Sequence, residues 1–156
     1  MIAGEATATV AAEPSQVFEF VLDLERYREA DRKIGRVGAV HRHGDSGTAE
    51  FSGRIRGLPG PRGVYPFTLT SSRLRFGSPI AGPARRFLDF EGTFDCEETT
   101  AGTVVTHREV FKFKRPWRWL AEPFLRRWLE GDTASEMIRF RELIERGPTV
   151  RSKDGQ

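Results

Sequence analysis

The chain has 156 residues, the length of one domain, and its 38% hydrophobic content, with 12 Phe, 3 Trp and 2 Tyr, excludes a disordered polymer. A domain of this size buries about 68–70% of its unfolded surface and needs no disulfide or metal staple. The lone cysteine, Cys96, excludes an internal disulfide and a zinc ribbon and suits a reducing, cytoplasmic setting.

The N-terminal residues Met1-Ile2-Ala3-Gly4-Glu5 lack a basic patch and an apolar run, which predicts no secretory signal. No stretch approaches 18 uninterrupted apolar residues, so no spanning helix is expected. Net charge is +3, yet Arg108 to Arg127 alone holds seven basic residues against Glu109 and Glu122. Such a patch is usually a solvated face, and it also suits an anionic lipid surface or an acidic ligand.

Residues 5–12 alternate Thr with Ala or Val and predict a first strand. Glu13-Pro14 opens a helix, with Pro14 at its first position and Val17, Val21 and Leu24 on one face. A second short helical piece runs from Asp23 toward Lys33-Ile34. The pattern then turns to strands: 36–43, a Gly44–Gly47 turn, and 48–56. Residues 57–63, Gly-Leu-Pro-Gly-Pro-Arg-Gly, read as a loop. Tyr65, Phe67 and Leu69 mark the next strand, with Pro66 suggesting an edge or bulge. Arg73–Phe76 alternates, and 77–84 is a second Gly/Pro loop. A strand through Leu88, Phe90 and Phe94 and a long last one over 103–114 complete the set. From Pro116 the period is helical, with Leu120, Phe124, Trp128, Met137, Phe140 and Ile144 on the apparent apolar face. Gly131 predicts a kink in a single helix, and Thr133-Ala134-Ser135-Glu136 matches a capping box that would restart it as a second. One domain is expected over 1–147, with a flexible tail over 148–156.

Six consecutive strands with short turns imply an antiparallel meander, and the long C-terminal helix is the only element large enough to cover its apolar face. This order resembles the helix-grip fold of the START-like, or SRPBCC, superfamily. The residues that carry the resemblance are 11–21 (AAEPSQVFEFV) as the strand-to-helix transition, 23–31 (DLERYREAD) as the next helix, 102–107 (GTVVTH) opening the last strand, and Phe111-Lys112-Phe113 before the proline and long helix. It covers about residues 3–146, and its nearest branch is the polyketide cyclase/dehydrase-like group. Ala30 departs from it, standing where many relatives carry Trp. The resemblance implies an α+β architecture, a curved sheet of about seven strands around the helix, and a cavity for a hydrophobic small molecule.

Strand side chains alternate faces. In 103–114 the even positions include Arg108, Lys112 and Lys114 and should face water, which turns His107 and Glu109 inward. A histidine and a carboxylate in an apolar hollow can relay a proton, so these two are the candidate catalytic pair; the plainer reading is a hydrogen-bonded wall pair. The candidate ligand-binding walls are Tyr65, Phe67, Phe90, Phe94, Val105, Phe111, Phe124 and Trp128, around a pocket of a few hundred Å³ as is usual for ligand sites. Strand parity places the 57–63 and 77–85 loops at one end, where exposed Leu58 and Ile80 suit a gate.

His41, His43 and His107 are the only histidines, but nothing in the sequence brings their strands together, and no metal is expected. Gly44-Asp45-Ser46-Gly47 resembles a protease nucleophile loop but reads as a hairpin turn. Cys96 reads as a small core residue, Arg54 as solvent-facing, and Trp117 and Trp119 as unable both to point inward. No Walker loop, dinucleotide fingerprint or zincin motif is present, so no cofactor and no nucleic acid are expected. The expected function is binding or carriage of a hydrophobic or amphipathic, lipid- or polyketide-like molecule. The alternatives are a polyketide cyclase/dehydratase-type enzyme using His107 and Glu109, and a protein that meets a membrane or partner through its basic, Trp-bearing end. The sequence leaves the oligomeric state open.

Overall fold

The computed structural model describes residues 1–147; the tail expected over 148–156 lies outside them. Seven strands form one antiparallel sheet: β1 (Ile2–Val10), β2 (Ile34–His43), β3 (Ser46–Ile55), β4 (Leu58–Leu69), β5 (Arg73–Phe76), β6 (Leu88–Thr99) and β7 (Gly102–Phe113). Their spatial order is β1-β7-β6-β5-β4-β3-β2. Strands β2 to β7 are a meander of sequential neighbours, and β1 closes the far side by pairing with β7, from Ile2 opposite Phe111 to Val10 opposite Thr103. Between β1 and β2 lie α1 (Pro14–Leu22) and α2 (Leu24–Tyr27), and the chain ends in α3 (Trp117–Arg146). This is the helix-grip architecture expected from the sequence.

Local chemistry accounts for the helix starts. Pro14 occupies the first turn of α1, and the Gln16 side chain accepts a hydrogen bond from the Glu13 N–H at 2.8 Å. Asp23 caps α2 by accepting from the Arg26 N–H.

Three sequence expectations are corrected. The 57–63 segment is not a loop: β3 and β4 meet in a two-residue turn at Arg56 and Gly57, both with positive φ (50° and 83°), as a tight hairpin requires. Pro59, Pro61 and Pro66 are tolerated because β5 pairs only with Phe67–Leu69, leaving the first half of β4 with β3 as its one strand neighbour apart from a single bridge at Val64 and Ala81. The second helix ends at Tyr27 rather than near residue 33.

α3 is one helix through Gly131 and Pro123, as expected, but its buried face is not the expected one. Its inward stripe is Leu125, Leu129, Thr133, Glu136, Met137 and Phe140. Leu120 and Phe124 lie one position off it and are 71% and 73% exposed. The Leu120–Phe124–Trp128 row is the more apolar by composition, but the buried stripe includes polar side chains with partners in the interior. Thr133 and Glu136 are therefore mid-helix core residues, not a capping box.

α3 packs closely on β1 because Gly4 has no side chain. A Cβ there would collide with Thr133 Oγ1 and stand 3.1 Å from the Leu129 carbonyl oxygen. The apolar core has two parts. One gathers Val17, Val21, Tyr27, Phe94 and Phe140 beneath α1, α2 and the C-terminal half of α3. The other joins Ile2, Leu88, Phe113, Leu125 and Leu129 at the start of α3.

Candidate functional site

A cavity of about 100 Å³ lies between these two core regions, enclosed by the sheet and α3. Its walls are almost wholly apolar, and aromatic rings fill much of the hollow that the curved sheet leaves. Phe51 stacks on Tyr65 at 4.3 Å, Phe90 meets Tyr65 edge-on at 5.8 Å, and Phe111 lies 5.0 Å from Phe90. These rings make the space smaller than the few hundred Å³ expected. Burial raises the Tyr65 hydroxyl pKa to about 12, so it stays a neutral donor.

Polar groups reach this cavity from one wall, where β7, the α2–β2 connection and α3 converge. Strand parity turns Thr103, Val105, His107, Glu109 and Phe113 to the buried face, as the sequence predicts, while Arg108 and Lys112 are exposed. Lys33, buried at the foot of β2, sends its ammonium into a cage of four carboxylates: Glu136 Oε2 at 2.6 Å, Asp132 Oδ2 at 2.8 Å, Asp31 Oδ1 at 2.9 Å and Glu109 Oε2 at 3.2 Å. His107 Nε2 stands 3.2 Å from Glu136 Oε1 and 3.4 Å from Glu109 Oε1, close enough to pair as a charge but misaligned for a hydrogen bond. Its Nδ1 is 3.0 Å from the Thr93 carbonyl oxygen and therefore carries a proton, and its ring stacks on Phe94 at 4.0 Å. Tyr27 donates its hydroxyl to Glu136 Oε1, and Thr133 Oγ1 lies 3.4 Å from Glu109 Oε2.

This wall is a closed charge network. Burial alone would lower the pKa of His107, but the Glu136 carboxylate, with Glu109 behind it, outweighs burial and lifts it to about 10. Burial would raise Glu136, but His107 and Lys33 hold it well below the usual carboxylate range. Lys33 is likewise held above its ordinary value by the surrounding carboxylates, against burial. Asp31 moves the other way: burial and then the Glu136 charge raise it to about 7, only partly countered by Lys33. Four carboxylates thus face two cations, and the Asp31 carboxyl is raised toward neutrality.

The sequence reasoning missed Lys33, Asp31, Asp132 and Glu136 as members of this site, whereas Tyr27, a candidate hydrogen-bonding residue, does border the cavity. The donor atoms of His107, Glu109 and Glu136 lie within 4.8 Å of one another, as do those of Asp31, Asp132 and Glu136. In the second set Lys33 already supplies the positive charge a metal would bring. In the first, the two carboxylates face His107 Nε2 at 3.2 and 3.4 Å. His41 and His43 are exposed on β2 and take no part.

Of the expected wall residues, Tyr65, Phe90, Phe94, Phe111 and Trp128 border the cavity, as do His107 and Glu109. Phe67, Val105 and Phe124 do not. Phe67 is buried against Phe76 and the bare backbone of Gly47, and Val105 sits in the register between Ala8 and Cys96, deeper in the core. Phe124 is on the outer face of α3 beneath the Arg56 guanidinium, 5.7 Å away. Leu58 and Ile80 are exposed and outside the cavity lining. Arg54 is exposed but reaches the rim, and Cys96 is a buried thiol that burial pushes up to about 12. No helix of the described residues is long and apolar enough to cross a membrane.

Solved structures with this fold include TTHA0849 from Thermus thermophilus, at 18% identity and a TM-score of 0.74, covering 94% of this chain and 99% of that one. The Zhui aromatase/cyclase from Streptomyces sp. R1128 matches at 17% identity and 0.69, over 99% and 98%. A START superfamily protein from Mycobacterium smegmatis matches at 16% identity and 0.64, over 92% and 94%. At these identities the likeness establishes the fold. No curated protein matches the sequence. The family described as polyketide cyclase/dehydrase and lipid transport matches residues 1–145, and the chain belongs to that family.

Proposed function

We propose that this protein binds and carries a hydrophobic or amphipathic small molecule in the cavity between sheet and α3. The observation that supports it most is an almost wholly apolar space bounded by Phe51, Tyr65, Phe90, Phe111 and Trp128 inside an otherwise packed domain. Leu58, exposed at the start of β4, and Ile80, exposed on the connection between β5 and β6, are proposed as the movable rim. Gly53 offers a clean test, because it borders the cavity and a Cβ added there meets no atom within 4 Å. Gly53→Leu is expected to fill the space, weakening uptake of an apolar fluorescent probe by about tenfold or more with little change in melting temperature. Probe binding equal to wild type would overturn the reading. Native mass spectrometry of freshly purified protein would identify a co-purified ligand class.

A second reading is favoured by one specific observation: His107 and Glu109 both border the cavity. In a cyclase/dehydratase-type reaction they would move protons α to a carbonyl of a folded polyketide-like chain. Glu109→Gln keeps the shape and removes the charge. For a catalytic pair, turnover of a short poly-β-keto thioester should fall while its affinity changes little; for a pair that only orients ligand, affinity should change instead. The exposed Trp119, Leu120 and Phe124 beside Arg115 and Arg118 support peripheral contact with an anionic membrane as a route for loading.

A further inference from the structure

The cavity adjoins a second hollow of different chemistry. A cleft of about 510 Å³ adjoins it, sharing Ile34, Arg54 and Trp128 as a common rim. The remaining polar lining of that cleft is Arg28, Arg32, Arg56 and Asp132.

Four arginines thus line one concave space. Their protein partners are weak. Arg28 donates to the Gly35 carbonyl at 3.3 Å and stands 3.5 Å from the exposed Glu25. Arg54 donates to the Gly57 carbonyl at 3.3 Å, and Arg56 lies over the Phe124 ring. Arg32 makes no ion pair among the described residues. The one carboxylate in the lining, Asp132, is already committed to Lys33 at 2.8 Å. Guanidinium does not lose its proton in proteins, and its planar fork matches carboxylate and phosphate. A cleft lined by one sign of charge focuses its field on whatever enters.

Taken with the apolar cavity behind it, this points to the ligand's shape and charge. Resting on the cavity-binding reading above, we infer that the ligand is an anionic amphiphile, with its chain in the cavity between sheet and α3 and a carboxylate or phosphate head among Arg28, Arg32, Arg54 and Arg56.

The experiment compares three probes with one chain: octan-1-ol, octanoate and octyl phosphate, titrated calorimetrically at neutral pH and moderate salt. Octanoate, octyl phosphate or both should bind about tenfold or more tightly than octan-1-ol, since hydrogen bonds to charged groups carry this order of preference. Which anion wins separates a free fatty acid from a lipid phosphate as the source. The ratio of anion to alcohol affinity should fall toward one in Arg32→Gln/Arg56→Gln, whose altered residues line only the cleft. Equal binding of alcohol and anions by wild type, or a preference that survives in the variant, would overturn the inference and leave cavity binding standing. If none of the three probes binds, both fail together.

Discussion

Replacing Lys33 with methionine is expected to lower the melting temperature by about 6–20 °C. Removing one partner of a buried charge network costs about 3–5 kcal/mol, and one kcal/mol shifts the midpoint of a chain this long by about 2–4 °C. The ammonium is the hub of the wall, within 3.2 Å of four carboxylates, and methionine keeps the stem while removing the charge. The deficit should depend on pH. Without the cation the caged carboxylates gain protons more readily in the folded chain than in the unfolded one, so the variant should approach wild type near pH 5 and fall furthest behind at pH 8. Wild type has its own slope. His107 is raised from 6.5 to about 10, so the stability it contributes is complete below pH 6.5 and is lost as pH rises toward 10. The raised Asp31 contributes in the same direction over pH 4–7, while the depressed Glu136 contributes stability that is lost in acid. Thermal scans of both proteins at pH 5, 7 and 9 measure this, and a pH-independent difference would mean that Lys33 acts through packing alone.

Gly4→Ala is expected to destabilise by about 1–3 kcal/mol, although the residue lies in a strand where alanine is ordinarily the better choice. Gly4 pairs with Glu109 across β1 and β7, and the added methyl would run into Thr133 Oγ1 on α3. Thr133 in turn lies against Glu109, so the displacement would propagate into the charge network. The double variant with Thr133→Ala should recover part of the loss. Additive effects in urea denaturation would show that the two sites do not press on each other.

The sheet was legible because its signals are local. Parity in 103–114 put Arg108 and Lys112 outside and His107 and Glu109 inside, and Pro14 marked the start of α1. The charged cage was not legible, because nothing in a run such as Asp31-Arg32-Lys33 distinguishes a buried ammonium from a solvated one. What buries Lys33 is a set of partners about 75 to 105 residues further along the chain. One signal could have helped. The Leu125–Leu129–Phe140 row on α3 passes through Glu136, whereas the more hydrophobic Leu120–Phe124 row leads the eye to the exposed face. The Pro-rich start of β4 misled for a related reason: prolines argue against a strand flanked on both sides, and β5 is too short to flank this one.

Strands β1 and β2 are consecutive among the strands in the chain yet stand at opposite edges of the sheet. That separation sets an order of assembly. The meander from β2 to β7 can zip up through hairpins, each closing a short loop, whereas β1 must wait for a strand about a hundred residues away. On an emerging polypeptide the N-terminal segment would therefore remain unpaired until β7 has left the ribosome, and α3, which lies across β1, would dock last. The carboxylates Asp132 and Glu136 arrive with that helix, so Lys33 gains its full set of counter-charges only at the final step. Substitutions in the cage should accordingly speed unfolding far more than they slow folding.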